Sequence, residues 1–386
     1  MRPAHRPAPH RSLRILAGPR ARARIEREGL AAADVAALAG AAGGPKGLVF
    51  LPLDEHLFGA WLPRAPRPRL LAGASIGAWR MAAAVHPERI AAIRRLGEAY
   101  LEFQRYPLRP GPAHVAQVCA RIVEHVLGDA HRFVAAADPA HSLAVITARA
   151  RGPIAARTGR LAFARTAAAN LVSRRRLGAH LQRTVFELGP RDPAPAAVGD
   201  LPAAQPLAAP RAPWPADGFD TQHVRIDAGN ARDALLASGT IPLLADPVRN
   251  PAGAPPGTYW DGGLIDYHLF LDWRGLDGLV LYPHFTPHLT PGWLDKGLPW
   301  RRRGLRGAAA WLDNLVLLVP SDALLARLPN RKLPDRGDFA HYGLDHDRRL
   351  RDWRRAIDEC RRMVDEFEAF CARPDPLLIE PLGRAP

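Results

Sequence analysis

Apolar runs and helically spaced segments alternate along the first ninety residues. The run VAALAG at 35–40 carries no polar side chain and has the length of a fully buried strand. It opens into a glycine cluster, GAAGGPKG at 40–47, and LVFLPLDEHLFGAWL at 48–62 then has helical spacing. RLLAG at 69–73 is a second buried strand, and SIGAWRMAAAVH at 75–86 begins a helix directly behind a serine. Upstream, ARARIEREGL at 21–30 reads as a helix, and residues 1–12 as a disordered basic arm. Strand, glycine loop, helix, strand, turn, helix is the alternation of an α/β layered fold.

Helical spacing continues to about residue 137, and SLAVITARA at 142–150 is another strand. A helix with clustered arginines follows at 159–181, then a strand at 184–189. Residues 189–218 are rich in Pro and Ala without periodicity, the composition of a long exposed loop. TQHVRID at 221–227 predicts a strand, ARDALLASG at 231–239 a helix, TIPLL at 240–244 a buried turn, and GLVLYPHF at 278–285 a strand. From about residue 305 the pattern is helical, ending in one long charged helix at 344–371. There is no internal repeat.

Composition changes this picture little. The 386 residues suffice for a large α/β domain, and 47 % hydrophobic residues is ordinary for a globular chain. The net charge of +15 favours anionic partners such as lipid or nucleic acid. Nearly all of it is arginine, with lysine only at Lys46, Lys296 and Lys332, so compositional bias explains the charge as well as binding does. No basic stretch is interleaved with aromatics as in single-strand binders, and no nucleic-acid partner is expected. Cys119, Cys360 and Cys371 are odd in number and widely spaced, which argues against a disulfide framework or zinc site and for a reducing compartment. No apolar run approaches the roughly 18 residues of a bilayer span. The chain reads as cytoplasmic, with peripheral membrane contact open.

The candidate chemistry begins at Gly73-Ala74-Ser75-Ile76-Gly77, which matches G-x-S-x-G. Small neighbours let a serine sit on a sharp strand-to-helix turn, and the following helix points its N–H groups and positive dipole end at the developing charge. A plain small-residue turn has the same sequence, so the motif needs partners. YWDGG supplies a carboxylate, Asp261, before Gly262 and Gly263, where glycines would let the backbone pass close to the serine turn. The glycine loop at 40–47 fits neither a P-loop nor a dinucleotide fingerprint. It can instead aim bare N–H groups at an oxyanion. Pro45 has no N–H, so the donors are expected at Gly43 and Gly44, with Pro45 holding Gly44 extended. His284 and His288 sit among prolines without a metal-ligand spacing and read as packed or exposed loop residues. His268 follows the aspartate closely, and its packed reading also leads. His341 or His346 would serve a Ser-His-Asp triad, the rival arrangement.

The blocks AGGPKG, GASIG and DGG, with ALLASGTIPLL between the last two, occur in one order over about 35–270. Together they resemble the patatin-like phospholipase family. The resemblance implies a three-layer α/β/α hydrolase with a central, mostly parallel sheet. It makes Ser75 the nucleophile and Asp261 the base, with Gly43 and Gly44 as oxyanion donors. Gly47, Gly73, Gly77, Gly262 and Gly263 support the motifs. Lys46 takes the place of the family's basic loop residue, with a loop anchor equally open to it. Ala42 stands where the family usually has a first glycine. The implied organisation is a basic arm at 1–12, the hydrolase domain at 13–300 and a helical C-terminal region at 301–386 packed on it. The implied activity is hydrolysis of phospholipid or lysophospholipid esters without metal or cofactor. Acyl transfer, thioester hydrolysis, a triad esterase and a non-catalytic basic membrane protein are the alternatives; head group, acyl length and oligomeric state stay open.

One further segment has two readings. In the helix at 159–181, Leu161, Ala164, Ala168, Leu171 and Val172 share a face, with Arg174 to Arg176 beside it. Such a helix lies on an anionic membrane, or it turns its apolar face to the core and its basic side to water. The core-facing arrangement is the expectation.

Overall fold

The computed structural model describes residues 11–156, 159–189, 214–215, 217–301 and 309–382. Residues 1–10 of the expected arm and most of the expected loop at 189–218 lie outside these. The strands are β1 (Leu13–Ala17), β2 (Val35–Gly40), β3 (Arg69–Ala74), β4 (His141–Ala150), β5 (Leu181–Leu188), β6 (Thr221–Arg225), β7 (Val248–Arg249), β8 (Thr258–Asp261), β9 (Leu279–Pro283), β10 (Leu315–Pro320) and β11 (Ile379–Pro381). They form one mixed sheet in the order β11-β1-β10-β9-β2-β3-β4-β5-β6, with β8 also on β4 and β7 on β8. Its centre, β10-β9-β2-β3-β4, is parallel throughout. Every residue of β2, β3, β9 and β10 is buried. Helices cover both faces, as a parallel sheet requires. The architecture is three-layer α/β/α.

Gly40 and Gly73 pair at the carboxyl ends of β2 and β3. The glycine loop and the serine turn therefore leave the sheet side by side, at the end where open parallel sheets place their sites.

LRILA at 13–17, for which the sequence pattern predicts no element, is a strand between β10 and β11. Three expectations are corrected. The C-terminal region is not purely helical: LVLLVP at 315–320 is β10, whose unbroken apolar run suits a strand buried on both faces. The long charged helix is two helices, His346–Glu359 and Arg362–Ala372, broken at Cys360 and Arg361. In the turn at 240–244, Leu243 and Leu244 are 48 % and 50 % exposed rather than buried, with Leu243 at φ 67°.

Candidate active site

Ser75 follows β3 directly at φ 57°, ψ −132° and caps the helix Ile76–Val85. An L-residue in that region is strained, and it persists only where the surroundings over-determine it. Here they do. The Ser75 N–H donates to Ser238 Oγ at 2.9 Å, and the Ser238 hydroxyl donates to the Ile146 carbonyl at 2.7 Å. Trp79 Nε1 donates to the Leu235 carbonyl at 2.8 Å, tying the helix behind the serine to Ala231–Gly239. A Cβ on Gly77 would lie 2.0 Å from the Gly40 carbonyl oxygen, and one on Gly73 2.5 Å from the Ala78 nitrogen. The flanking glycines of the motif are thus demanded by close approach of helix and sheet.

Asp261 arrives by way of β4. On that strand Ile146 pairs with Ala74, the last residue of β3, and the next residue, Thr147, pairs with Asp261 of β8. Strand β8 takes over the edge of β4 where β3 leaves it for the serine turn. Two residues far apart in the chain become neighbours because they occupy consecutive positions along one strand edge. The Asp261 N–H donates to the Thr240 carbonyl at 2.8 Å, and its Oδ1 accepts from the Gly263 N–H at 2.7 Å. Burial pushes the Asp261 pKa up; the nearby Ser75 hydroxyl, the Gly263 N–H, Arg336 and Lys296 oppose the rise. The two glycines do not let the chain pass the serine turn itself, as expected from sequence. A Cβ on Gly262 would meet the Ile146 carbonyl oxygen at 2.1 Å, and one on Gly263 the Ala42 Cβ at 2.7 Å. They seat the aspartate against β4 and the glycine loop.

In that loop the Ala42 N–H is committed to the Tyr267 carbonyl at 3.0 Å. No described group accepts from the N–H of Gly43 or Gly44. Gly44 has φ 58°, not the extended conformation expected before Pro45. The chain turns there into a short 3₁₀ helix, Gly44–Phe50, and the left-handed value suits glycine. A Cβ on Gly47 would meet Ile76 Cγ1 at 2.7 Å, so this glycine seats the loop on the serine's helix. Lys46 Nζ sits 5.0 Å over the Phe285 ring, and burial lowers its pKa.

A narrow cavity of about 20 Å³ opens between these parts, with Gly43, Ile241, Asp261, Tyr267, Trp293 and Arg336 among its walls. That is room for about one water. Sequence reasoning missed Ser238, Trp293 and Arg336. Ser238 lay within a block already singled out and follows a helical run, a weak signal. Arg336 had none: it comes from the C-terminal chain and lies against Gly44, with its Nε 3.4 Å from where a Cβ on that glycine would be. No hydrogen bond or ion pair of its guanidinium is described among the residues around it. Lys296 Nζ lies 4.1 Å over the Tyr267 ring, and its pKa falls to about 8, chiefly through burial, then Arg336 and Lys46. Lys332 also helps to lower the Lys46 pKa.

The histidines stay apart. His268 and His284 are buried with ring centroids 4.3 Å apart, and His268 Nδ1 accepts from the Thr290 N–H at 2.9 Å. His341 meets the Tyr342 ring edge to face. No described hydrogen bond or ion pair joins a histidine to Ser75 or Asp261. Among the described residues no cluster of His, Cys, Asp and Glu is suited to a metal.

The family model for a patatin-like phospholipase matches residues 41–271, from the glycine loop to beyond Asp261. No curated protein matches the chain.

Proposed function

The chain belongs to the patatin-like phospholipase family, which makes it a lipid acyl hydrolase in general terms, and from that premise we propose that it cleaves carboxylic esters of phospholipids or lysophospholipids through an acyl-enzyme on Ser75. The observation that carries the proposal is the juxtaposition of buried Ser75 and buried Asp261 at consecutive positions along the edge of β4, beside two unclaimed loop amides.

The Ser75 oxygen attacks the ester carbonyl carbon and gives its proton to the Asp261 carboxylate. The carbonyl oxygen gains the negative charge and takes hydrogen bonds from the Gly43 and Gly44 N–H groups. The N-terminus of the helix Ile76–Val85 adds its dipole. Collapse breaks the ester C–O bond, and the departing alcohol takes the proton from Asp261. Water then repeats the sequence on the acyl-enzyme: Asp261 accepts a water proton, the acid departs, and Ser75 recovers its hydrogen. An ordinary carboxylate is too weak a base for serine, and two features narrow the gap. Burial raises the Asp261 pKa. The loop amides and helix end stabilise the charge that proton transfer leaves behind.

Arg336 and Lys296 place positive charge near the carboxylate and oppose the rise in its pKa. No helix of the described residues is long and apolar enough to cross a membrane, so in this reading the enzyme meets its lipid peripherally. The three cysteines are unpaired, which fits a cytoplasmic setting.

The test is labelling with a fluorophosphonate, followed by a panel of phospholipids and lysophospholipids. Ser75→Ala should abolish both labelling and ester cleavage while the circular dichroism spectrum is kept. A folded Ser75→Ala protein that still cleaves the esters would overturn the proposal.

A further inference from the structure

The helix Arg160–Val172 is built inside out. Its buried side chains are Ala162, Thr166 and Asn170, spaced four apart on one face, and two of the three are polar. Each polar group there is satisfied. The Thr166 hydroxyl donates to the Ala162 carbonyl at 3.0 Å, and Asn170 Nδ2 donates to Asp295 Oδ1 at 2.8 Å. The apolar stripe of Leu161, Ala164, Ala168, Leu171 and Val172 lies on the other side. Counting about 100° per residue, its middle falls diametrically opposite the buried face. Leu161, Leu171 and Val172 are 69 %, 59 % and 66 % exposed. The sequence expectation of a core-facing stripe is therefore overturned.

Charge frames the stripe. Arg160 and Arg165 fall at its two edges, and Arg175 and Arg176 follow on the next short helix; all four are exposed. None has a described ion pair, and residues 159–178 contain no Asp or Glu. Trp300, 62 % exposed, stands beside the helix end, because Arg301 donates to the Asn170 carbonyl at 2.6 Å. An outward apolar stripe with arginine borders and an adjacent tryptophan is the composition of an interfacial helix.

The helix is also wired to the cavity. Asp295 accepts from Asn170, Arg174 and Arg301, and it ends the turn Trp293–Asp295, whose Trp293 is a cavity wall. A second wall, Ile241 and Pro242, runs directly into the half-exposed Leu243 and Leu244.

We propose that the face carrying Leu161, Leu171, Val172 and Trp300, with its arginine border, docks this protein on an anionic lipid surface and so holds the mouth of the cavity at Asp261 toward the membrane. The partner deepens the lipid-hydrolase reading and rests on it for its catalytic consequence; the docking itself needs no chemistry at Ser75. A second copy is the poorer occupant, because a two-fold contact through this face would bring unpaired arginines against arginines with no acid between them. The apolar stripe sinks to the headgroup boundary while the guanidinium groups meet anionic headgroups.

The test is co-sedimentation of the full chain with phosphatidylcholine vesicles, with and without phosphatidylglycerol. The wild type should bind the anionic vesicles and not the zwitterionic ones, and added salt should weaken binding. Leu161→Ser/Leu171→Ser and, separately, Arg175→Gln/Arg176→Gln should each lower vesicle affinity by about tenfold or more. Both should turn over a soluble short-chain ester at the wild-type rate, which also shows that they fold. Ser75→Ala should bind vesicles like wild type. Wild-type protein that ignores anionic vesicles while hydrolysing the soluble ester would overturn the docking surface and leave the proposed function standing. Vesicle binding with cleavage retained in Ser75→Ala would do the reverse. A variant that binds vesicles normally but changes its mass in solution would give the face to a second copy.

Discussion

At the scale of single residues, Asp261 carries the cost of the site. Its pKa is raised by burial above the ordinary carboxylate value, so folding favours its neutral form. The sign follows: the stability linked to this group is fully present below the unfolded pKa of about 3.9 and is lost as pH rises through the folded value, with each pH unit between the two worth about 1.4 kcal/mol. Asn cannot ionise, yet its Oδ1 still accepts from Gly263. Asp261→Asn should therefore melt no lower than wild type near neutral pH, with any difference vanishing below about pH 4, while ester turnover falls by orders of magnitude. A variant that melts well below wild type at neutral pH would show that the ionised carboxylate stabilises the fold. Arg336 acts on the same group. Arg336→Gln removes a positive field that lowers the Asp261 pKa, so the acid limb of kcat/KM should move to higher pH, and Arg336→Lys should move it back. An unmoved limb would take Arg336 out of the electrostatics of the base. In the loop, a methyl on Gly43 would meet Phe285 Cε1 at 2.6 Å, and Gly44 has a positive φ. Gly43→Ala or Gly44→Ala should each cut kcat by roughly 10² to 10³, the loss expected for one oxyanion donor. Pro45→Ala should cost far less, and near-wild-type kcat in both glycine variants would mean that this loop does not hold the oxyanion.

At the scale of elements, the helix behind Ser75 is fixed by a buried ion pair: Arg80 Nε and Nη2 donate to Asp54 at 2.6 and 2.7 Å, with both side chains at most 2 % exposed. Arg80 also stacks over Phe50. Asp54→Ala should destabilise the fold by about 3–5 kcal/mol, because it strands a buried guanidinium, whereas Asp54→Leu/Arg80→Met should recover most of the loss. Urea denaturation reads both, and a single variant within about 1 kcal/mol of wild type would show that water reaches the pair. Asp54 interrupts an otherwise apolar run, so from sequence it looks like a solvent-facing break; its partner is set only by the fold. The same limit separates what was legible from what was not. VAALAG, RLLAG and the helix ARDALLASG could be read because composition and period decide them locally. LRILA and LVLLVP carry the same strand chemistry, but the first adjoins a basic arm and the second lies in a helical context. Their pairing with each other is what makes them strands. The inside-out helix was half legible: the stripe could be seen in the sequence, but its outward direction depends on Asp295 holding Asn170.

At the scale of the whole molecule, the matched segment 41–271 contains the serine, the aspartate and both loop glycines, yet contains only part of the sheet that positions them. Strand β2 precedes the segment, and on one side it pairs with β9, which follows it; β10 and β1 continue that half of the sheet. Phe285 and Arg336, which pack against the glycine loop, and the cavity wall Trp293 also come from beyond the match. Removing residues 1–40 and 272–386 would strip β2 from one side of β3 and leave that apolar strand as an open edge, the kind of surface that drives aggregation. The Ala42 N–H would keep its acceptor Tyr267, but that residue would lose the Pro291 carbonyl to which its own N–H donates at 2.8 Å. A chain cut to 41–271 should therefore show no cooperative thermal transition and no fluorophosphonate labelling, although every motif residue is present. Cutting the full chain only after residue 382 should leave both intact, since β11 ends at Pro381. Cooperative melting with labelling in the 41–271 piece would mean that the β1-β10-β9 half of the sheet is an addition to a self-sufficient core. The paired strands instead predict a single folding unit in which the C-terminal chain completes both the sheet and the site.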